Sequence, residues 1–186
     1  MTRGMTLVEA VVTIGISTVA LLALMNLFFI FNSIYGYQMA FVAAAGSAGA
    51  AMNAFEASIL PAERVLAFHD FSGTIYTSSA DTLVLELPAF DDSGDIVSGA
   101  KDYVVFYVSA GTLYRLIEAD EQSVRHSGRT QLSAVLDALS FTYDTADVTN
   151  ATNIIVDIET RAQFKQQTVH GSLREQLYLR NAHSLS

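Results

Sequence analysis

Several groups of side chains in this sequence have types and spacings that could do chemistry. The first is a lone carboxylate, Glu9, near the start of an otherwise uncharged apolar run from Met5 to Phe31, shortly after Arg3 and Gly4. An ionised side chain at bilayer depth costs on the order of 3 kcal/mol on insertion scales, so this carboxylate needs a reason. The second is FDDSGDIVSGAKD, which concentrates Asp91, Asp92, Asp95 and Asp102. Calcium takes several oxygens at about 2.4 Å, which such a loop could supply. The EF-hand pattern is not matched, because the acid spacing differs and the closing glutamate is missing. Asp, Ser and Gly are also ordinary turn residues. The turn is the favoured reading; Asp91, Asp92 and Asp95 stand as calcium ligands only in the lesser one. The third group is His69, His126, His170 and His183. None has another histidine at helical metal-ligand spacing. His69 and Asp70 with a serine would make a hydrolytic set on paper, but no G-x-S-x-G elbow anchors it. Four solvent-facing histidines are expected.

These observations argue against an enzyme and against a resident cofactor. The chain has no cysteine and no tryptophan, which excludes disulfides, thiolate chemistry and cysteine-based zinc sites. There is no Walker motif G-x-x-x-x-G-K-[ST]. Net charge is -9, and Arg64, Lys101, Arg115, Arg125, Arg129, Arg161, Lys165, Arg174 and Arg180 are scattered. Nucleic acid needs a concentrated basic surface, so it is not the expected partner. Asn150-Ala151-Thr152 fits the N-glycosylation pattern and is read as a polar loop. Tyr103, Phe106, Tyr107 and Tyr114 are read as core and cross-strand residues.

The elements that must position these groups begin with a membrane segment. The run from Ala10 to Phe31 carries no charge, and about 20 such residues span a hydrocarbon core. It is too long for a signal-peptide h-region, and no A-x-A site ends it. Gly15 and Asn26 are its weak points, and a mid-membrane Asn seeks a hydrogen-bond partner. Arg3 places the short side in the cytoplasm. Tyr35 and Tyr37 suit the headgroup region beyond the span.

Helix formers continue past it. Phe41, Ala45, Ala48, Met52, Phe55 and Ile59 form one helical stripe. This predicts a single helix from about Thr6 to Ile59, extending past Pro61 only with a kink; a flexible linker across AAAGSAGA is the alternative. Gly46 and Gly49 would allow close approach of a neighbour or local bending. After Pro61 the pattern alternates. Strands are expected at Thr82–Leu87, Tyr103–Ser109, Thr112–Glu118 and Asn153–Thr160, with a turn at Ala110-Gly111 and a closing strand at Gln176–Arg180. Leu132, Val135, Leu136 and Leu139 predict a short helix leading into a strand around Ser140–Tyr143. The expected fold class is α+β, one long helix packed on an antiparallel sheet.

Arg3-Gly4 followed by Met5-Thr6-Leu7-Val8-Glu9 and an apolar helix resembles the type IV pilin and pseudopilin N-terminus. The order of TLVLELPAFDDSG, DYVVFYVSAGTLYRL, LSFTYD and LYLRN looks, more loosely, like a minor pseudopilin domain. The resemblance implies cleavage by a prepilin peptidase after Gly4, N-methylation of Met5, and an assembly role for Glu9. The implied organisation is a leader at 1–4, a transmembrane assembly helix at 5–31, its soluble continuation at 32–60 and a β-rich pilin-like domain at 61–186. The implied location is the bacterial inner membrane, single-pass with a cytoplasmic N-terminus, and then a filament built with other pilin or pseudopilin subunits. Such filaments serve type IV pili, type II secretion or DNA uptake. Met5 in place of the usual phenylalanine, Asn26 where many major pilins have proline, and the missing cysteine pair favour a minor subunit. After cleavage Met5 would carry a cationic amine, and methylation keeps that charge. A packed apolar bundle gives Glu9 no water, so a neighbour's amine can pair with it. Breaking one partner of a buried ion pair costs about 3–5 kcal/mol. The reading carried beside this one is a single-span, membrane-anchored extracytoplasmic binding or sensor module with Glu9 incidental.

Overall fold

The computed structural model describes residues 6–180. Arg3, Gly4, Met5 and His183 lie outside the described residues. Helix α1 runs Leu7–Ile59 without interruption. It crosses AAAGSAGA as helix, so that stretch is not a linker. It stops short of Pro61 rather than kinking through it, because the residue before a proline is pushed out of the α region. The chain divides into two compact units, Met1–Ala40 and Phe41–Ser186. In the first, the described residues are helix alone beyond the cap at Thr6, apolar on every side.

Among the described residues the second unit holds the rest of α1 and ten antiparallel strands. They are β1 (Arg64–Val65), β2 (Phe68–Phe71), β3 (Thr74–Thr77), β4 (Leu83–Phe90), β5 (Ile96–Ser109), β6 (Thr112–Glu118), β7 (Gly128–Ser133), β8 (Leu136–Tyr143), β9 (Asn153–Phe164) and β10 (Gln167–Tyr178). They form sheets ordered β1-β4-β5-β6-β7, β10-β9-β8 and β2-β3. The fold is therefore α+β. The β5–β6 turn is made by Ala110 (φ 50) and Gly111 (φ 75), the paired positive φ that suits the twist of a two-residue hairpin.

The helix buries Ala44, Ala48, Ala51, Met52, Phe55 and Ile59 against both larger sheets. Phe55 anchors this contact, with its ring 4.5 Å from Phe106 and 5.4 Å, edge-on, from Phe141. The stripe differs from expectation at its start. Phe41 is exposed, and Ala44 takes the buried place beside a half-buried Ala45. A Cβ on Gly46 or Gly49 would meet nothing within 4 Å, so neither glycine makes a close approach. That role falls to Gly171 on β10, where a Cβ would lie 2.7 Å from the Ala45 nitrogen.

Other expectations are corrected. Leu132 to Leu139 is not helical; it belongs to β7 and β8. A bulge between Leu136 and Ala138 shifts β8 by one residue. Leu136 and Leu139 then face inward three residues apart, a spacing that imitates a helix, while Phe141 and Tyr143 follow at the strand spacing of two. The closing strand starts earlier than Gln176, at Gln167, because β10 pairs with β9 along its whole length. The β2–β3 hairpin was not anticipated. It turns at Ser72 (φ 52) and Gly73 (φ 94) and helps cover the far face of the five-stranded sheet with Phe71 and Tyr76, over Val84, Val105 and Tyr107.

Candidate functional site

Thr6 and Glu9 form a capping box at the start of α1. The Thr6 backbone N–H and hydroxyl donate to Glu9 Oε2 at 2.9 and 3.0 Å. The Glu9 N–H donates to Thr6 Oγ1 at 3.3 Å. Reciprocal bonds of this kind satisfy donors that an α-helix leaves orphaned at its first turn. Glu9 Oε1 makes no hydrogen bond among the described residues. Among the described residues the carboxylate thus has a local role through one of its two oxygens.

Beyond it the helix surface is prepared for an apolar solvent. No Asp, Glu, Lys or Arg occurs from Ala10 to Phe55. The hydroxyls of Thr13 and Thr18 donate to the carbonyls of Glu9 (2.7 Å) and Ile14 (2.8 Å), which removes polar groups from the surface. Large apolar side chains are exposed all along it, from Leu7 at 81% to Val42 at 63%. The helix is long and apolar enough to cross a membrane.

The aspartates of the β4–β5 hairpin are accounted for by the turn. Asp91 Oδ1 accepts the N–H groups of Ser93 (2.9 Å) and Asp95 (3.0 Å), and Gly94 takes φ 83. Asp92 and Asp95 are exposed. Asp102 does not join them. It is fully buried on β5 and accepts from Asp120 N–H (2.9 Å), Ser123 hydroxyl (2.7 Å) and Arg125 Nη1 (2.6 Å). This buried ion pair straps the loop after β6 onto the sheet, and sequence spacing gave no sign of it. Among the described residues no group of three or more His, Asp or Glu is placed to hold a metal.

The histidines separate as well. His126 and His170 are exposed. His69 is not solvent-facing, because the β2–β3 hairpin lays it on Tyr103, with ring centroids 3.8 Å apart, and within 3.0 Å of Glu118 Oε2. Burial pushes the Tyr103 phenol up, and the Glu86 carboxylate adds to the effect. Tyr107 and Tyr114 stack across β5 and β6 at 5.6 Å, while Phe106 is core. Asn150 and Thr152 are tied into their loop by the Asp147 and Asp144 carboxylates. Comparison with protein-family models, with curated proteins and with solved structures gave no match.

Proposed function

We propose that this chain is a minor pilin or pseudopilin subunit, cleaved after Gly4, methylated at Met5 and assembled through α1 into a type IV pilus, type II secretion or DNA-uptake filament. The observation that carries this reading is a mismatch of lengths. From Leu7 to Val42 the exposed apolar helix rises roughly 53 Å at about 1.5 Å per residue. A bilayer offers about 30 Å of hydrocarbon, or about 40–45 Å with its headgroups. A membrane therefore leaves roughly 10 Å or more of this surface uncovered, around Ile34, Tyr37, Met39, Phe41 and Val42. Lateral packing with other helices covers it. In such a bundle Glu9 Oε1 accepts from a neighbour's N-terminal amine, while Oε2 keeps its cap. Prepilin peptidase and other pilin or pseudopilin subunits are the partners this implies.

The capping box favours the competing reading, a single-span anchored binding or sensor module, because it gives Glu9 an intramolecular role that needs no neighbour. Intact mass after expression with a prepilin peptidase separates the two. The filament reading expects loss of Met1 to Gly4 and gain of one methyl group. An uncut chain sinks it. Glu9→Gln keeps the cap oxygen and removes the charge, so it should block incorporation while leaving the helix intact by circular dichroism.

A further inference from the structure

The strand edges of the second unit are finished in different ways. β2 and β3 have four residues each. β1 has two, and the edge of β4 beside it is bonded by Glu63, Leu66 and Ser78. β7 has six residues and a register shift against β6. β8 is bulged, and the Phe141 N–H donates to the Ala80 carbonyl outside the sheet. Short strands, bulges and covering loops are the usual ways to blunt an edge. β10 has none of them. It pairs with β9 over its 12 residues without a shift and contains no proline or lysine. Among the described residues no backbone hydrogen bond reaches it from any element other than β9.

A second observation concerns the middle of this edge. Val169, Gly171 and Leu177 are buried on the core face of β10. Leu173 stands on the same face, opposite the fully buried Ile158, yet is 38% exposed. A further strand at the usual spacing of about 4.8 Å would lay a side chain beside it. The charges of β10 also sort by face. The solvent face carries His170 and Arg174 and no acid; the core face carries Glu175 alone. Asp137 and Asp157, which pair with His170 (3.2 Å) and Arg174 (3.6 Å), belong to β8 and β9, on the paired side. Directly opposed residues share a face. A second copy of β10 therefore offers bases to the bases and an acid to the acid. An inward charge on an edge discourages indiscriminate pairing, so Glu175 restricts this edge to a strand that brings a cation to it.

We propose that the outer edge of β10 is a docking edge for an extended segment of a different chain, which adds a strand to the three-stranded sheet. Backbone hydrogen bonds supply the affinity of such a contact, and alternate side chains its specificity. The segment carries an apolar residue opposite Leu173, a lysine or arginine opposite Glu175, and acids opposite Arg174 and His170. The inference goes beyond the filament reading and does not rest on it, since a membrane-anchored module presents the same edge.

The probe is a labelled peptide, Val-Thr-Lys-Glu-Val-Thr-Ala-Glu-Val, which meets these positions when laid antiparallel to β10. Added to the full-length chain in detergent, it should slow hydrogen exchange of β10 amides about tenfold and leave β7 unchanged. A peptide with lysine in place of both glutamates should need about tenfold more for half-saturation, read by fluorescence anisotropy. Arg174→Glu, at an exposed position, should erase that preference. Leu173→Lys puts an inward charge on the edge at an exposed position. It should weaken binding about tenfold while circular dichroism stays unchanged. No slowing at β10 with millimolar peptide overturns the proposal, and so does equal slowing at β7. Indifference to the charge of the peptide, or to both substitutions, overturns it as well. An uncut chain in the mass measurement sinks the filament reading and leaves this edge as it is.

Discussion

The two halves of α1 are chemically alike and physically opposite. Neither carries a charge between Ala10 and Phe55. In the first half every large apolar side chain among the described residues is exposed. In the second half one stripe is buried almost completely, from Ala44 to Ile59. One helix thus meets two environments, and what separates them is its neighbours. Where the sheets approach, the helix offers Ala44, Ala48 and Ala51, whose small side chains let the backbones come close. Where no sheet approaches, it offers Leu, Ile and Phe on all sides, as a buried or membrane helix does.

The comparison is tested most severely by truncating one phenylalanine in each half. Phe55→Ala should destabilise the second unit by about 3–5 kcal/mol, since it removes a fully buried ring and leaves a cavity. Phe28→Ala, at an exposed position, should leave that stability unchanged. Chemical denaturation of the full chain in detergent, followed by tyrosine fluorescence, reads both. Equal losses would show that the second unit is not the separately stabilised body described here.

A smaller effect is expected at the glycines. Gly171→Ala forces a Cβ within 3 Å of the Ala44–Ala45 backbone, which cannot yield as a side chain can. Overpacking of this kind costs about 1–3 kcal/mol. Gly15→Ala meets nothing within 4 Å and should raise helix stability by up to about 1 kcal/mol. The same denaturation measurement, with helicity from circular dichroism, separates the signs.

The last effect is a titration, confined to the second half and to high pH. Burial pushes the Tyr143 phenol from 10.0 to about 12, although a hydrogen bond from Ser78 opposes the shift. The unfolded chain ionises first. The contribution is therefore complete below pH 10.0 and is lost as pH rises toward about 12. Tyr143→Phe should flatten stability over that interval, at the cost of the hydroxyl's bond to the Ser79 carbonyl (3.1 Å). An unchanged slope would place the titrating group elsewhere.

Much of the fold was legible because its signals are local. The helix from Leu7 to Ile59 is written in an uncharged apolar run followed by a spacing of three and four. β6 was read to the residue, since its alternation is bounded by a glycine turn. Where reading failed, a geometric device had altered the period: the bulge at Leu136–Ala138 made a strand look helical, and Ser72-Gly73 closed a hairpin too short to alternate visibly. The Thr6–Glu9 capping box is present in the letters as T-x-x-E.

By itself, then, the sequence determined an α+β chain with a membrane-length apolar helix and a carboxylate at its head, because periodicity and charge act over a few residues. Only the tertiary structure decided that Asp102 is buried against Arg125 and that Gly171 rather than Gly46 or Gly49 admits the close approach. Those facts depend on which strands pair and which face meets the helix. Residues brought together across 23 positions, as Asp102 and Arg125 are, or across more than a hundred, as Gly171 and Ala45 are, leave no local pattern from which their contact could be read.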